Sequence, residues 1–151
     1  MRIAVGADHH GYRLKEAVKQ HLSELGHDVT DFGVPDERPV DYPDVAAAVA
    51  REVAAGAFDR AVLACGTGLG MAIAANKVPG VRAAPVTDPY SAERAMRSND
   101  AHILCLGGRV VGTDVALLLV DHWMSSDFGG GDSARKVAKI EALEAHLSRR
   151  S

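Results

Sequence analysis

At 151 residues the chain is sized for one compact domain, residues 1–151, and 47% hydrophobic with 25% charged residues excludes a disordered segment. Seventeen Lys and Arg against twenty Asp and Glu leave a net charge of −3, so no basic field recruits nucleic acid. No apolar run approaches the roughly 18–20 residues of a membrane span, and the first apolar run, residues 2–5, is too short for a secretion signal. Two cysteines, Cys65 and Cys105, cannot build a disulfide framework; a cytoplasmic location is expected.

Residues 2–6 (RIAVG) read as a strand. Leu14, Val18, His21/Leu22 and Leu25 then recur at helical spacing, and Gly26 stops the helix. Residues 29–32 form a second short strand. Residues 33–43 carry three prolines and read as a loop, with Pro43 in the first turn of an Ala/Val-rich helix that stops at Gly56. Residues 60–65 (RAVLAC) are a continuous apolar strand of the kind buried on both faces. A glycine-rich turn and a helix to about Lys77 follow, then a strand over 81–86. Asp88-Pro89 caps a helix to Arg97, and residues 102–106 are the fifth strand. Thr113 is expected to cap a helix with Val115, Leu118, Leu119 and His122 on one face. Val137, Ile140, Leu143 and Leu147 mark a last helix, which either closes the monomer or packs on a partner subunit.

Five strand–helix alternations predict an α/β fold: a three-layer α/β/α sandwich around a five-stranded parallel sheet, Rossmann-like, plus the C-terminal helix. In such sheets ligands bind beyond the carboxyl ends of the strands. That rule selects four loops, at residues 6–10, 65–70, 87–88 and 107–109.

The second loop carries the most chemistry. Gly66, Gly68 and Gly70 lie between a buried strand and a helix, which leaves backbone N–H groups to face an anion at a positive helix end. The anion is either a phosphate or an oxyanion that develops during reaction. Cys65 leads directly into this turn, where the thiolate is favoured. The plainer reading makes Cys65 a small core residue, and that reading suits Cys105, between Leu104 and Leu106, better. A dinucleotide fingerprint fits poorly, because Met71 stands where the third glycine belongs. Asp8 and His9 put an acid and a base on the same rim, with helix capping and plain surface exposure as their ordinary alternatives. Only one of His9 and His10 is expected to face the cleft. No pair of residues has metal-ligand spacing, so neither a metal nor another cofactor is expected.

The strings Gly6-Ala7-Asp8-His9, Asp41-Tyr42-Pro43-Asp44 and Cys65-Gly66-Thr67-Gly68-Leu69-Gly70 resemble the ribose-5-phosphate isomerase B / galactose-6-phosphate isomerase family. So do residues 74–82 and Ser98-Asn99-Asp100, and the likeness runs in order to about residue 147. The resemblance implies a metal-free aldose–ketose isomerase of a sugar phosphate, in homodimers or dimers of dimers with the site between subunits. It implies that Cys65 moves the proton between C1 and C2, with the Thr67 hydroxyl beside it. The backbone of Gly66, Gly68, Leu69 and Gly70 would hold the enediolate, and Asp8 would shuttle a proton between O1 and O2. Tyr42 and Asn99 match substrate-hydroxyl contacts; His9 and Arg109 match part of a phosphate site.

Two positions depart from the family. Ser98 replaces its ring-opening histidine, and His102 is expected to reach inward and take that role. Asp132 and Lys136 replace two arginines, so phosphate binding leans on Arg109, Lys136 and Arg135. Ribose 5-phosphate to ribulose 5-phosphate is the expected reaction. A tetrulose 4-phosphate or a hexose 6-phosphate is the alternative, and a non-catalytic sugar-phosphate sensor is the reading from another class.

Overall fold

The computed structural model describes residues 1–150. In chain order the elements are β1 (Arg2–Ala7), α1 (Tyr12–Glu24), β2 (Asp28–Asp31), α2 (Tyr42–Ala54), β3 (Arg60–Cys65) and α3 (Leu69–Ala75), followed by β4 (Ala83–Pro85), α4 (Pro89–Arg97), β5 (Ile103–Gly107), α5 (Thr113–Met124) and α6 (Asp132–Ser148). The strands form one parallel sheet in the order β2-β1-β3-β5-β4, as the alternation predicts.

Central β3 is buried along its whole length, which is why its sequence runs apolar without alternation. Helices α1, α4 and α5 cover one sheet face through Leu14, Val18, Leu22, Met96, Leu119 and Trp123. Helices α2 and α3 cover the other through Val49, Val53, Met71 and Ala75. Each fully buried Leu, such as Leu22 or Leu119, contributes about 1.5–3 kcal/mol through the apolar area it removes from water. Arg60, on β3, ends α5 by donating to the carbonyls of Trp123 at 2.7 Å and Ser126 at 2.8 Å. Asp88 caps α4 as expected, accepting the Ser91 N–H at 2.8 Å.

Two local readings change, and one left open is narrowed. Gly112, not Thr113, is the N-cap of α5, and that helix buries Ala116, Leu119, Val120 and Trp123 while Val115 and Leu118 are exposed. The indole explains the rotation: Trp123 is fully buried only because its N–H finds the Ala101 carbonyl at 2.8 Å. β4 shrinks to three residues because it is an edge strand paired only with β5. On α6 only Val137 is buried; Ile140, Leu143 and Leu147 are exposed, so this chain alone does not cover the stripe. Among the described residues no helix is long and apolar enough to cross a membrane.

The register sets the site. Ala7 pairs with Ala64, and Cys65 pairs with Gly107, so β1, β3 and β5 end at one level. Buried Lys15 reinforces this edge. Its Nζ donates to Asp31 at 2.9 and 3.0 Å and to the Val34 carbonyl at 2.6 Å. Asp31 also accepts the Gly33 N–H, while Ala7 exchanges hydrogen bonds with Gly33 and Val34. This ties the loop over 33–41 across the end of β1 and leads the chain to Tyr42.

Candidate active site

Three connections meet at the carboxyl edge. The Asp8 N–H donates to the Ala64 carbonyl at 3.2 Å, Gly108 N–H to Cys65 at 2.8 Å and Arg109 N–H to Gly66 at 3.0 Å. Asp8 is 4% exposed, and its Oδ1 accepts the N–H groups of His10 at 2.9 Å and Gly11 at 3.1 Å. These bonds close the turn ahead of α1, whose N-cap is Gly11 with no side-chain cap, so the helix-capping role expected as the ordinary alternative is not what Asp8 does. Oδ2 has no hydrogen bond among the described residues and is left for another proton.

Cys65 ends β3 with its Sγ accepting the Gly68 N–H at 3.2 Å. That bond requires a tight turn, and Gly68 provides it at φ +80°, where a side chain is strained. The Thr67 hydroxyl accepts the Leu69 N–H at 3.2 Å and stays exposed at the mouth. The N–H groups of Gly66, Thr67 and Gly70 donate to no protein atom among the described residues. Thiol, hydroxyl and free N–H groups thus share one turn. Cys105 is different: burial, and then the neighbouring Cys65, push its thiol far up and keep it protonated.

The rim is made of His9, His10, Tyr42 and Arg109. Both histidines line a cleft of about 470 Å³ with Asp8, Val40 and Tyr42, and both also line the adjoining cavity beside Arg13, Gly108 and Thr113. The expectation that only one faces the cleft is corrected here: the two rings lie with centroids 4.0 Å apart, tilted 45° to each other, and both line the cleft. His10 Nδ1 accepts from Arg109 Nη2 at 2.9 Å, a partnership that no local sequence pattern reveals. The Tyr42 ring lies on the start of α3: a Cβ at Gly70 would sit 2.5 Å from it, so glycine is needed there.

The remaining expected residues do not reach Cys65 in the same chain. His102 precedes β5, whose length separates it from Gly107, the strand partner of Cys65, by roughly 16 Å. It stands instead beside Arg82, and burial first, then the Arg82 charge, lower its pKa. The inward reach expected of His102 is thus corrected: the start of a parallel strand lies at the opposite edge from the ligand loops. Asn99 is at that same edge, after α4, with its carbonyl bonded to Arg82. Arg135 and Lys136 are exposed in the first turn of α6, which begins near the Gly129–Arg97 backbone bond at the end of α4.

Residues 3–140 match the family model described as Ribose/Galactose Isomerase. The chain belongs to the ribose/galactose isomerase family. It is an aldose–ketose isomerase. It is 49% identical over 144 residues to "Ribose-5-P isomerase B" of Listeria innocua, covering 95% of this chain and 97% of the relative. It is 44% identical over 146 residues to "D-erythrulose-4-phosphate isomerase" of Pectobacterium atrosepticum, covering 95% of each. The solved ribose-5-phosphate isomerase B of Clostridium thermocellum superposes with a TM-score of 0.96 at 48% identity, covering 97% of this chain and 99% of that one.

Isomerising an aldose to a ketose by proton transfer calls for a base next to the carbonyl and for donors that hold the resulting enediolate. The site has the parts: a thiol at the strand end, free N–H groups around it, and a carboxylate oxygen beside it.

Proposed function

We propose that this isomerase interconverts ribose 5-phosphate and ribulose 5-phosphate through a cis-enediolate, with Cys65 as the base. The observation that carries the reading is the Cys65 Sγ held by the Gly68 N–H inside a turn where the N–H groups of Gly66, Thr67 and Gly70 donate to no protein atom among the described residues. The thiolate takes the proton from one carbon and returns it to the next. The backbone of Gly66, Gly68, Leu69 and Gly70 receives the enediolate charge. Asp8 Oδ2 moves the proton between O1 and O2, Thr67 supplies a hydroxyl to the same atoms, and His9 and Arg109 hold the phosphate. The match to ribose-5-phosphate isomerase B proteins over nearly the whole chain supports the substrate. The roles need no metal or other cofactor, and the reading treats residues 1–151 as one isomerase domain in the cytoplasm.

Two copies complete the site in this reading, as a homodimer or a dimer of dimers. Asn99, Arg135 and Lys136 stand too far from Cys65 to act on it within one chain, so a partner supplies them. Exposed Leu69 and Ile73 on α3, beside the site, and the uncovered stripe of α6 are surfaces for such a partner.

A second reading takes erythrulose 4-phosphate as substrate, and Ser98 favours it. Ring opening needs an acid–base group, serine does not titrate near neutrality, and His102 is held elsewhere. A sugar phosphorylated at C4 cannot close a five-membered ring, so it needs no such group. A sensor without turnover is disfavoured, since binding alone needs no base. The experiment is turnover of wild type and Cys65→Ala on ribose 5-phosphate, erythrulose 4-phosphate and a hexose 6-phosphate. Pentose turnover that disappears in Cys65→Ala supports the reading. Turnover of the tetrose alone overturns the substrate, and full activity in Cys65→Ala overturns the base.

A further inference from the structure

We propose that Arg82 is a positioning residue that sets Asn99 for the active site of the partner subunit; this rests on the two-copy site proposed above. Arg82 lies just before β4, and its side chain is only 14% exposed. Its Nε donates to the carbonyls of Asn99 at 3.0 Å and Asp100 at 3.1 Å. Nη2 donates to the Asp100 carboxylate at 3.0 Å, and Nη1 to Glu141 of α6 at 3.2 Å. One guanidinium therefore grips the backbone carbonyls of Asn99 and Asp100 and the side chain of Asp100.

The turn needs that grip. Asp100 is the only residue other than glycine with positive φ among the described residues, at +49°, a conformation that costs free energy unless its surroundings hold it. While the Asn99 backbone is fixed, its side chain is exposed and makes no hydrogen bond among the described residues. A fixed backbone with a free amide is the arrangement of a group offered to something outside the chain. The same guanidinium reaches α6 through Glu141, on the helix that carries Arg135 and Lys136. It therefore joins the two segments that one subunit would lend to the other. A lysine cannot replace it, because a single ammonium lacks the planar fork that spans these four acceptors.

The test compares Arg82→Gln, Asn99→Ala and the double variant, each purified as an oligomer and assayed on whichever phosphate wild type turns over. Each single variant is also co-expressed with Cys65→Ala under different tags, and the mixed species is isolated. Arg82→Gln should raise KM about tenfold while kcat changes less than about threefold. The double variant should be no worse than Asn99→Ala, because Arg82 acts through Asn99. The mixed Arg82→Gln/Cys65→Ala oligomer should regain a site of wild-type KM, since its intact Cys65 is served by the intact Arg82 of the other chain. An unchanged KM, multiplying effects, or a mixed oligomer that keeps the raised KM overturns the proposal. If mixed Asn99→Ala/Cys65→Ala gains no wild-type site, the two-copy reading itself fails. Should Arg82→Gln not fold, Asp100→Asn, which leaves Arg82 in place and suits positive φ, carries the same three comparisons, and the same outcomes support or overturn the proposal.

Discussion

Arg109 donates from Nη2 to His10 Nδ1 at 2.9 Å, and the two side chains flank Gly66, the first residue after the thiol. The guanidinium can only donate, so His10 Nδ1 accepts and orients it. In the proposed reading, a phosphate arriving beside the pair meets an arginine already placed. Arg109→Lys should therefore raise KM about tenfold and change kcat less, because an ammonium cannot bridge His10 and a phosphate together. Steady-state kinetics check this; equal losses in kcat and kcat/KM would place Arg109 in the transition state instead.

The two cysteines should part company. Cys65→Ala is expected to lose about 10²–10⁴-fold in turnover, the usual worth of a positioned base, while keeping its fold. Cys105, buried and kept protonated, should be dispensable to the chemistry. Cys105→Ala should stay within a few-fold of wild-type turnover and cost about 1 kcal/mol of stability, measured by denaturant unfolding.

Gly70→Ala tests the wall under Tyr42. The added methyl would stand 2.5 Å from the ring, so the ring must swing away or α3 must shift. KM is expected to rise at least about fivefold with a smaller change in kcat. A variant indistinguishable from wild type would remove Tyr42 from the substrate contacts.

Lys15 and Asp31 predict an acid-sensitive loop. Burial would raise the Asp31 carboxyl, but hydrogen bonds from Lys19, Lys15 and the Gly33 N–H outweigh it and hold the pKa below the ordinary 3.8. A depressed carboxylate stabilises the fold above its unfolded pKa and loses that contribution as pH falls through the folded value. Protection of the amides over 33–41 against hydrogen exchange should thus persist at pH 5 and fall below about pH 4. Lys15→Met should cost about 2–3 kcal/mol, because charged hydrogen bonds are lost from a buried position, and should weaken but not abolish the acid dependence of that loop, since Lys19 and the Gly33 N–H still bind Asp31.

His102→Asn should change turnover of ribose 5-phosphate and erythrulose 4-phosphate in equal proportion. The ring sits at the amino edge against Arg82, and its lowered pKa leaves it neutral at pH 7. A selective loss on the pentose would return ring opening to His102.

The sequence by itself determined the layers and the glycine turn that follows Cys65. The apolar run 60–65 could only be a strand covered on both faces, and three alternate glycines behind Cys65 could only be a strand-to-helix turn. Both are local patterns, and local patterns survive translation into structure. The helix starts marked by Asp88-Pro89 and by Pro43 were legible for the same reason. What the tertiary structure decided depends on which end of the sheet a residue occupies. Asn99 belongs to a string shared with the family and His102 lies three positions beyond it, yet parallel strands place the start of β5 about one strand length from the ligand loops. The rotation of α5 turned on a single indole N–H that needed the Ala101 carbonyl, a partner 22 positions away. The His10–Arg109 pair spans 99 positions and arises because β1 and β5 both flank β3 and end level with it. Spacing along a chain carries period and capping; it carries no record of which edge two distant loops will share.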